Sequence, residues 1–160
     1  MKKIIIAIDS FKGCLTSAEA GKAAEKGIKS INPFCHTSVI PIADGGEGLL
    51  DVLITATKGK YITLSAHGPL MKMAKTHYGL SGNGRTAIIE MAAISGLPLV
   101  PIEQRNPMLT TTSGTGELIK DALNKGCRNF IIGIGGSATN DAGFLLFFFS
   151  IYVFIDFITS

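Results

Sequence analysis

Charge is scarce in this sequence. Only 17% of its 160 residues are charged, the net charge is +3, and the lysines are scattered. Without a basic stripe and interleaved aromatics, the electrostatic footprint of a nucleic-acid binder is missing. Cysteine is scarce too: Cys14, Cys35 and Cys127 are odd in number and have no metal-ligand spacing. They read as reduced thiols of a cytoplasmic protein rather than as a disulfide framework. The histidines His36, His67 and His77 are equally dispersed, so no metal cluster is visible. No Gly-Lys-Ser/Thr triplet occurs, which excludes the P-loop pattern. A signal peptide is excluded as well, because Asp9 ends the apolar run after Met1-Lys2-Lys3 long before such a segment would be complete.

What is present is apolar and rich in glycine. Hydrophobic residues make up 46% of the chain, and its 19 glycines cluster at turns. The length suits one ordinary domain able to bury roughly two-thirds of its unfolded surface. The β-branched run Ile4 to Ile8 predicts a strand buried on both faces of a parallel sheet. Thr16-x-x-Glu19 is a capping box that starts a helix, and Asn32-Pro33 stops it. Val39 to Ile42 predicts a second strand, and Leu49 to Ala56 a helix with Leu50, Leu53 and Ile54 inward. Strand–helix–strand–helix is the pattern of a parallel α/β sheet. Tyr61 to Ala66, Lys75 to Leu80 and Thr86 to Met91 predict shorter strands without intervening helices, hence a mixed or antiparallel layer, with a domain boundary near Gly68. Ala92 to Pro101 is a short helix or loop, and 103–112 is irregular. A helix follows from about Gly116 to Asn124, capped by Gly126, and leads into a strand at 130–134.

Four turns combine glycine with an acid, a hydroxyl or a lysine. Asp9-Ser10-Phe11-Lys12-Gly13 follows the first strand. Lys12 suits a phosphate or carboxylate there, and Asp9 a metal ion or a hydroxyl. Asp44-Gly45-Gly46-Glu47-Gly48 follows the second strand. Asp44 suits Mg²⁺ or the base for a hydroxyl, whereas Glu47 also fits a helix N-terminal carboxylate. Ser113-Gly114-Thr115-Gly116 resembles an anion cradle at a helix N-terminus, or a plain Ser/Thr cap. Gly135-Gly136-Ser137-Ala138-Thr139-Asn140-Asp141 ends an apolar strand, where open α/β sheets place ligands and glycine N–H groups can form an anion-binding concavity. Together these turns fit a polyanionic ligand and its metal.

The stretches AIDSFKG (Ala7 to Gly13), PIADGGEG (Pro41 to Gly48), AIIEMAAISGLPLV (Ala87 to Val100), RNPMLTTTSGTGELIKDAL (Arg105 to Leu123) and IIGIGGSATNDAG (Ile131 to Gly143) resemble the bacterial glycerate kinase family, in order and over Met1 to about Gly143. The resemblance implies a fold of two α/β domains. Here that would be a Rossmann- or flavodoxin-like parallel portion at 1–68 and part of a second, mixed α/β domain at 69–143. It implies ATP-dependent phosphoryl transfer to a hydroxyl of D-glycerate, giving 2- or 3-phosphoglycerate, with Mg²⁺. On a phosphoryl-transfer template, Asp9, Lys12, Asp44 and Asp141 are the candidate catalytic residues, with Asp44 and Asp141 for the metal. Ser10, Gly45, Gly46, Glu47, Ser113, Gly114, Thr115, Gly116, Gly135, Gly136, Ser137, Thr139 and Asn140 are the candidates for holding substrate and nucleotide.

From Phe144 the sequence departs from that family: FLLFFFSIYVFIDFITS holds six of the nine phenylalanines. This composition reads as an out-of-frame product. A membrane anchor is the alternative, though the run is shorter than the about 20 residues a span takes and Asp156 interrupts it. The expectation is an incomplete, poorly soluble and inactive chain, with a complementary C-terminal fragment as its missing partner.

Overall fold

The computed structural model describes residues 3–141, so the expectations for the 144–160 tail lie outside the described residues. Two sheets are present, a parallel pair and a mixed four-stranded sheet. The parallel pair joins β1 (Lys3–Ile8) and β2 (His36–Pro41) through α1 (Ser17–Ile31), which packs on both strands. Thr16 caps α1 as expected, its side chain accepting from the Glu19 N–H while Glu19 reaches back to the Thr16 N–H. The face α1 turns inward is Ser17, Ala20 and Gly21, whereas Ile31 is 88% exposed. Two-sided burial of β1 is corrected: Ile6 is buried, but Ile5 is 58% exposed.

The second sheet runs β3 (Lys60–His67), β4 (Met73–Leu80), β5 (Thr86–Glu90), β6 (Asn129–Gly133) in spatial order. β3, β4 and β5 pair antiparallel and β6 joins β5 in parallel, so this is the mixed layer the helix-free run of strands predicted. The boundary expected at Gly68 falls in the turn of the β3–β4 hairpin, where Gly68 N–H donates to the Lys72 carbonyl. The sheets change one element earlier, across α2 (Leu49–Thr57), because Lys60–His67 pairs along its full length with Met73–Leu80.

Strand β5 organises the layers. Its side chains alternate between faces, as strand geometry requires. Ala87 and Ile89 belong to the main core with Ile94, Leu118, Ile119 and Ala122, under α4 (Ser113–Asn124). Ile88 packs on the other face with Leu50 and Ile54 of α2. The inward face read for α2 is therefore the observed one, with Leu53 packed beside it. The same alternation puts Glu90 on the α2 side. A short helix, α3 (Ala92–Ser95), and a 3-10 turn at Leu97–Leu99 fill the stretch read as short helix or loop, and a second 3-10 turn, Ile102–Gln104, runs into the stretch read as irregular. Among the described residues no helix is long and apolar enough to cross a membrane.

Candidate functional site

The ends of β1 and β2 are pinned by one buried hydroxyl. Ser17 Oγ donates to the Ile8 carbonyl and accepts from the Ile42 N–H at 3.1 Å. That pin fixes the roots of the first two glycine turns side by side. Above it Lys12 Nζ lies 3.4 Å from Asp44 Oδ2, with the two side chains 68% and 56% exposed. Asp44 Oδ1 also accepts from the Gly46 N–H at 3.0 Å. This backbone donor, then the Lys12 ammonium, holds the Asp44 carboxyl below its ordinary range. Asp9 turns back to accept from the Ser10 N–H.

A cavity of about 710 Å³ opens beside this pair, within the range of ordinary small-molecule sites. Its polar lining includes Ser10, Lys12, Glu47, Asp51, His77 and Glu90. Ser10 Oγ is buried and has no hydrogen-bond partner among the described residues, so it suits an oxygen or hydroxyl of a bound molecule.

The second and fourth turns meet backbone to backbone. Gly135 N–H donates to the Gly45 carbonyl at 3.1 Å. A Cβ on Gly135 would stand 2.6 Å from Gly46 Cα, and one on Gly133 would stand 2.6 Å from the Gly45 carbonyl oxygen. Glycine is required at this crossing because two main chains approach too closely for any side chain. The first, second and fourth turns are thus joined in one neighbourhood.

The third turn has a different environment. α4 begins at Ser113 rather than near Gly116, and Ser113 to Gly116 are all buried. A Cβ on Gly114 would collide with the His67 carbonyl. Thr115 and Ser95 hydroxyls lie 2.9 Å apart. Asp141 Oδ2 accepts from the Thr112 N–H at 2.7 Å and from Thr112 Oγ1 at 2.9 Å. Asp141 therefore acts as the cap of α4 from a distant part of the chain. Ser113 to Gly116, read as an anion cradle or a Ser/Thr cap, form a buried helix start contacted by protein groups. Glu117 completes that lock, accepting from the His67 N–H at 2.8 Å and contacting His67 Nδ1 at 2.7 Å.

The remaining fourth-turn residues are largely occupied with one another. Ser137 and Thr139 hydroxyls lie 2.9 Å apart, the Asn140 N–H donates to the Pro107 carbonyl, and Leu97 N–H donates to the Gly136 carbonyl. Asn140 and Gly136 are exposed. Among the described residues no group of three or more His, Cys, Asp or Glu could hold a metal ion. The donor chemistry fits a cation completed by ligand oxygens at Asp44, since Mg²⁺ is commonly held by one or two carboxylates plus phosphates.

Two contributors escaped the sequence reading. Ser17 follows a recognisable helix cap and looks like surface. Glu90 closes an otherwise buried strand, and a carboxylate at that position is itself the signal that could have found it. Its Oε2 accepts from the Leu50 N–H at 3.3 Å, and burial, countered by the Leu50 and Gly48 N–H groups, raises its carboxyl above the ordinary range.

The sequence model of the glycerate kinase family matches residues 4–147. The chain is 55% identical over 141 residues to a glycerate kinase of Bacillus subtilis (strain 168), covering 88% of this chain and 37% of that protein. It is 52% identical over 141 residues to a glycerate 2-kinase of Escherichia coli (strain K12), with the same 88% and 37% coverage. A crystal structure from Salmonella typhimurium LT2, described as that of a candidate glycerate kinase 2, superposes with a TM-score of 0.75 at 49% identity, covering 89% of this chain and 39% of that one. The chain thus spans about 37% of the length of the curated relatives it matches.

Proposed function

Since the chain belongs to the glycerate kinase family, we propose that it carries the acceptor and phosphate-handling part of an ATP-dependent D-glycerate kinase. The observation that carries this reading is the exposed Lys12–Asp44 pair, whose Lys12 lines the cavity. An exposed ion pair of this kind contributes little to stability, so its two charges are available to exchange each other for a ligand. Phosphoryl transfer asks the protein mainly for positioning and charge neutralisation. Lys12 faces the transferring phosphate, Ser10 Oγ engages a glycerate oxygen, and Asp44 orients the attacking hydroxyl. As the hydroxyl oxygen bonds to the γ-phosphorus and the bond to ADP breaks, the hydroxyl proton passes to Asp44.

Mg²⁺, when bound with ATP, would neutralise phosphate charge. Of the two carboxylates named for it, Asp44 is the better placed, because Asp141 already caps α4. The backbone of the Gly45–Gly46 and Gly135–Gly136 crossing frames the nucleotide side of the site. The product is 2- or 3-phosphoglycerate, in keeping with a cytoplasmic metabolic enzyme. Turnover requires the further length present in the relatives, supplied in the same chain or as a complementary fragment.

The test is a chimera that joins residues 1–141 to the remaining length of the Bacillus subtilis relative. It should phosphorylate D-glycerate with ATP, and Asp44→Asn should lower kcat by about 10²–10⁴-fold, the range for a positioned acid–base group. A raised Mg²⁺ requirement in that variant assigns Asp44 to the metal. An active chimera indifferent to Asp44→Asn would overturn the reading.

A further inference from the structure

Helix α2 starts without a cap of its own. Its N-cap is Gly48, at φ 91°, and no side chain of the helix start hydrogen-bonds the free N–H groups there. Unmet N–H groups at a helix start need a partner. The partner comes from the other sheet. Glu90, the last residue of β5 and only 9% exposed, points along the α2 face and accepts from the Leu50 N–H at 3.3 Å. Helix α2 follows directly on the Asp44–Gly48 turn, whose other side is held by the Gly135 N–H on the Gly45 carbonyl.

We propose that Glu90 is a positioning residue, a cap supplied by the second sheet that sets the Asp44 turn in register with the cavity it shares with Lys12. This rests on the kinase reading for its catalytic consequence but not for its structural one. The device links the two sheets: the end of β5 sends a carboxylate to the start of α2, and the turn after β6 sends the Gly135 N–H to the Gly45 carbonyl, so the glycine turn is held from both sides. The charged and titratable groups facing it are Asp51 and Glu47 from α2 and its turn, His77 from β4 and Tyr61 from β3. The acids among them disfavour a second charge, so hydrogen-bond acceptance at Leu50, rather than charge as such, is the required property.

The experiment compares wild type, Glu90→Gln and Glu90→Ala. In the full chain, amide hydrogen exchange is read at Gly48 to Leu50. Glu90→Ala should speed exchange there by about tenfold or more, the size of losing one buried hydrogen bond, while Glu90→Gln, which keeps an acceptor, stays near wild type. In the chimera, Glu90→Ala should lower kcat by about 10–100-fold through misplacement of the Asp44 turn, with KM for ATP held, and Glu90→Gln should restore most of it. Unchanged exchange at Leu50 in Glu90→Ala overturns the proposal whether or not the chimera is active. A Glu90→Gln variant as impaired in kcat as Glu90→Ala, with exchange preserved, also overturns it and makes the carboxylate a chemical participant. An inactive wild-type chimera with the expected exchange pattern would instead count against the kinase reading alone.

Discussion

The first two glycine turns and the third turn with its Asp141 partner are built from the same ingredients and end in opposite conditions. Lys12 and Asp44 are mostly exposed and joined by a single 3.4 Å ion pair. Thr112 and Thr115 are 2% and 0% exposed, and Asp141 is bound twice to Thr112. One region presents charge to a cavity, and the other closes its polar groups against each other. A glycine turn carrying an acid is therefore ambiguous by composition. What separates a ligand cradle from a helix cap is whether a distant backbone N–H reaches the acid first.

Four changes would break or sharpen that contrast, beginning with the largest. In the chimera, Lys12→Met should cut kcat/KM for ATP by about 10²–10³-fold, the cost of losing one transition-state charge partner. Its melting temperature should stay at the parent value, and steady-state kinetics with a thermal melt reads both. Asp141→Ala should do the reverse. Loss of a cap costs about 1–2 kcal/mol, read by urea unfolding, while KM for ATP in the folded fraction holds. Ser17→Ala removes a buried hydroxyl from two strand ends and should destabilise by about 1 kcal/mol, with a rise in KM for glycerate as the Ser10 and Asp44 turns drift apart.

The smallest effect concerns pH. Glu90 in the folded chain binds its proton more tightly than in the unfolded chain, where its ordinary value is 4.5. Between those two values the native state holds more protons, so stability from this group is full below about 4.5 and declines as pH rises through the folded value. Asp44 works in the opposite sense: its carboxyl is held below 3.8, so its contribution is present above that value and fades on acidification. Glu90→Gln should remove the first slope and leave the second, as seen in unfolding midpoints collected across mildly acidic pH.

Much of the architecture was legible because it is local. The Thr16–Glu19 capping box, the α2 face of Leu50, Leu53 and Ile54, and the helix-free run of β3, β4 and β5 are all written in short spacings, and all are present. The convergence of the first and second turns follows from parallel strand order, which puts the carboxyl ends of β1 and β2 on one edge. What was not legible is long-range. Ser113 to Gly116 read as an anion cradle or a plain cap, and nothing in that stretch reveals that Asp141, 29 positions from Thr112, will reach it. Gly68 was read as a boundary and lies in the β3–β4 hairpin turn, because Gly-Pro marks a turn without telling whether the flanking strands pair with each other. Glu90 was passed over because strand alternation gives its face, but only the fold supplies the helix start it meets. Ile5 was expected inside because a β-branched run signals a strand more clearly than it signals what covers it.

The most direct test sets Asp44→Asn beside Asp141→Ala in the same chimera, with kcat and melting temperature measured on each. The result expected is a crossed one: Asp44→Asn abolishes most turnover at an unchanged melting temperature, and Asp141→Ala lowers the melting temperature while the folded enzyme keeps its kcat. Equal loss of turnover in both, with neither affecting the melt, would contradict the division between a charged mouth and a closed support.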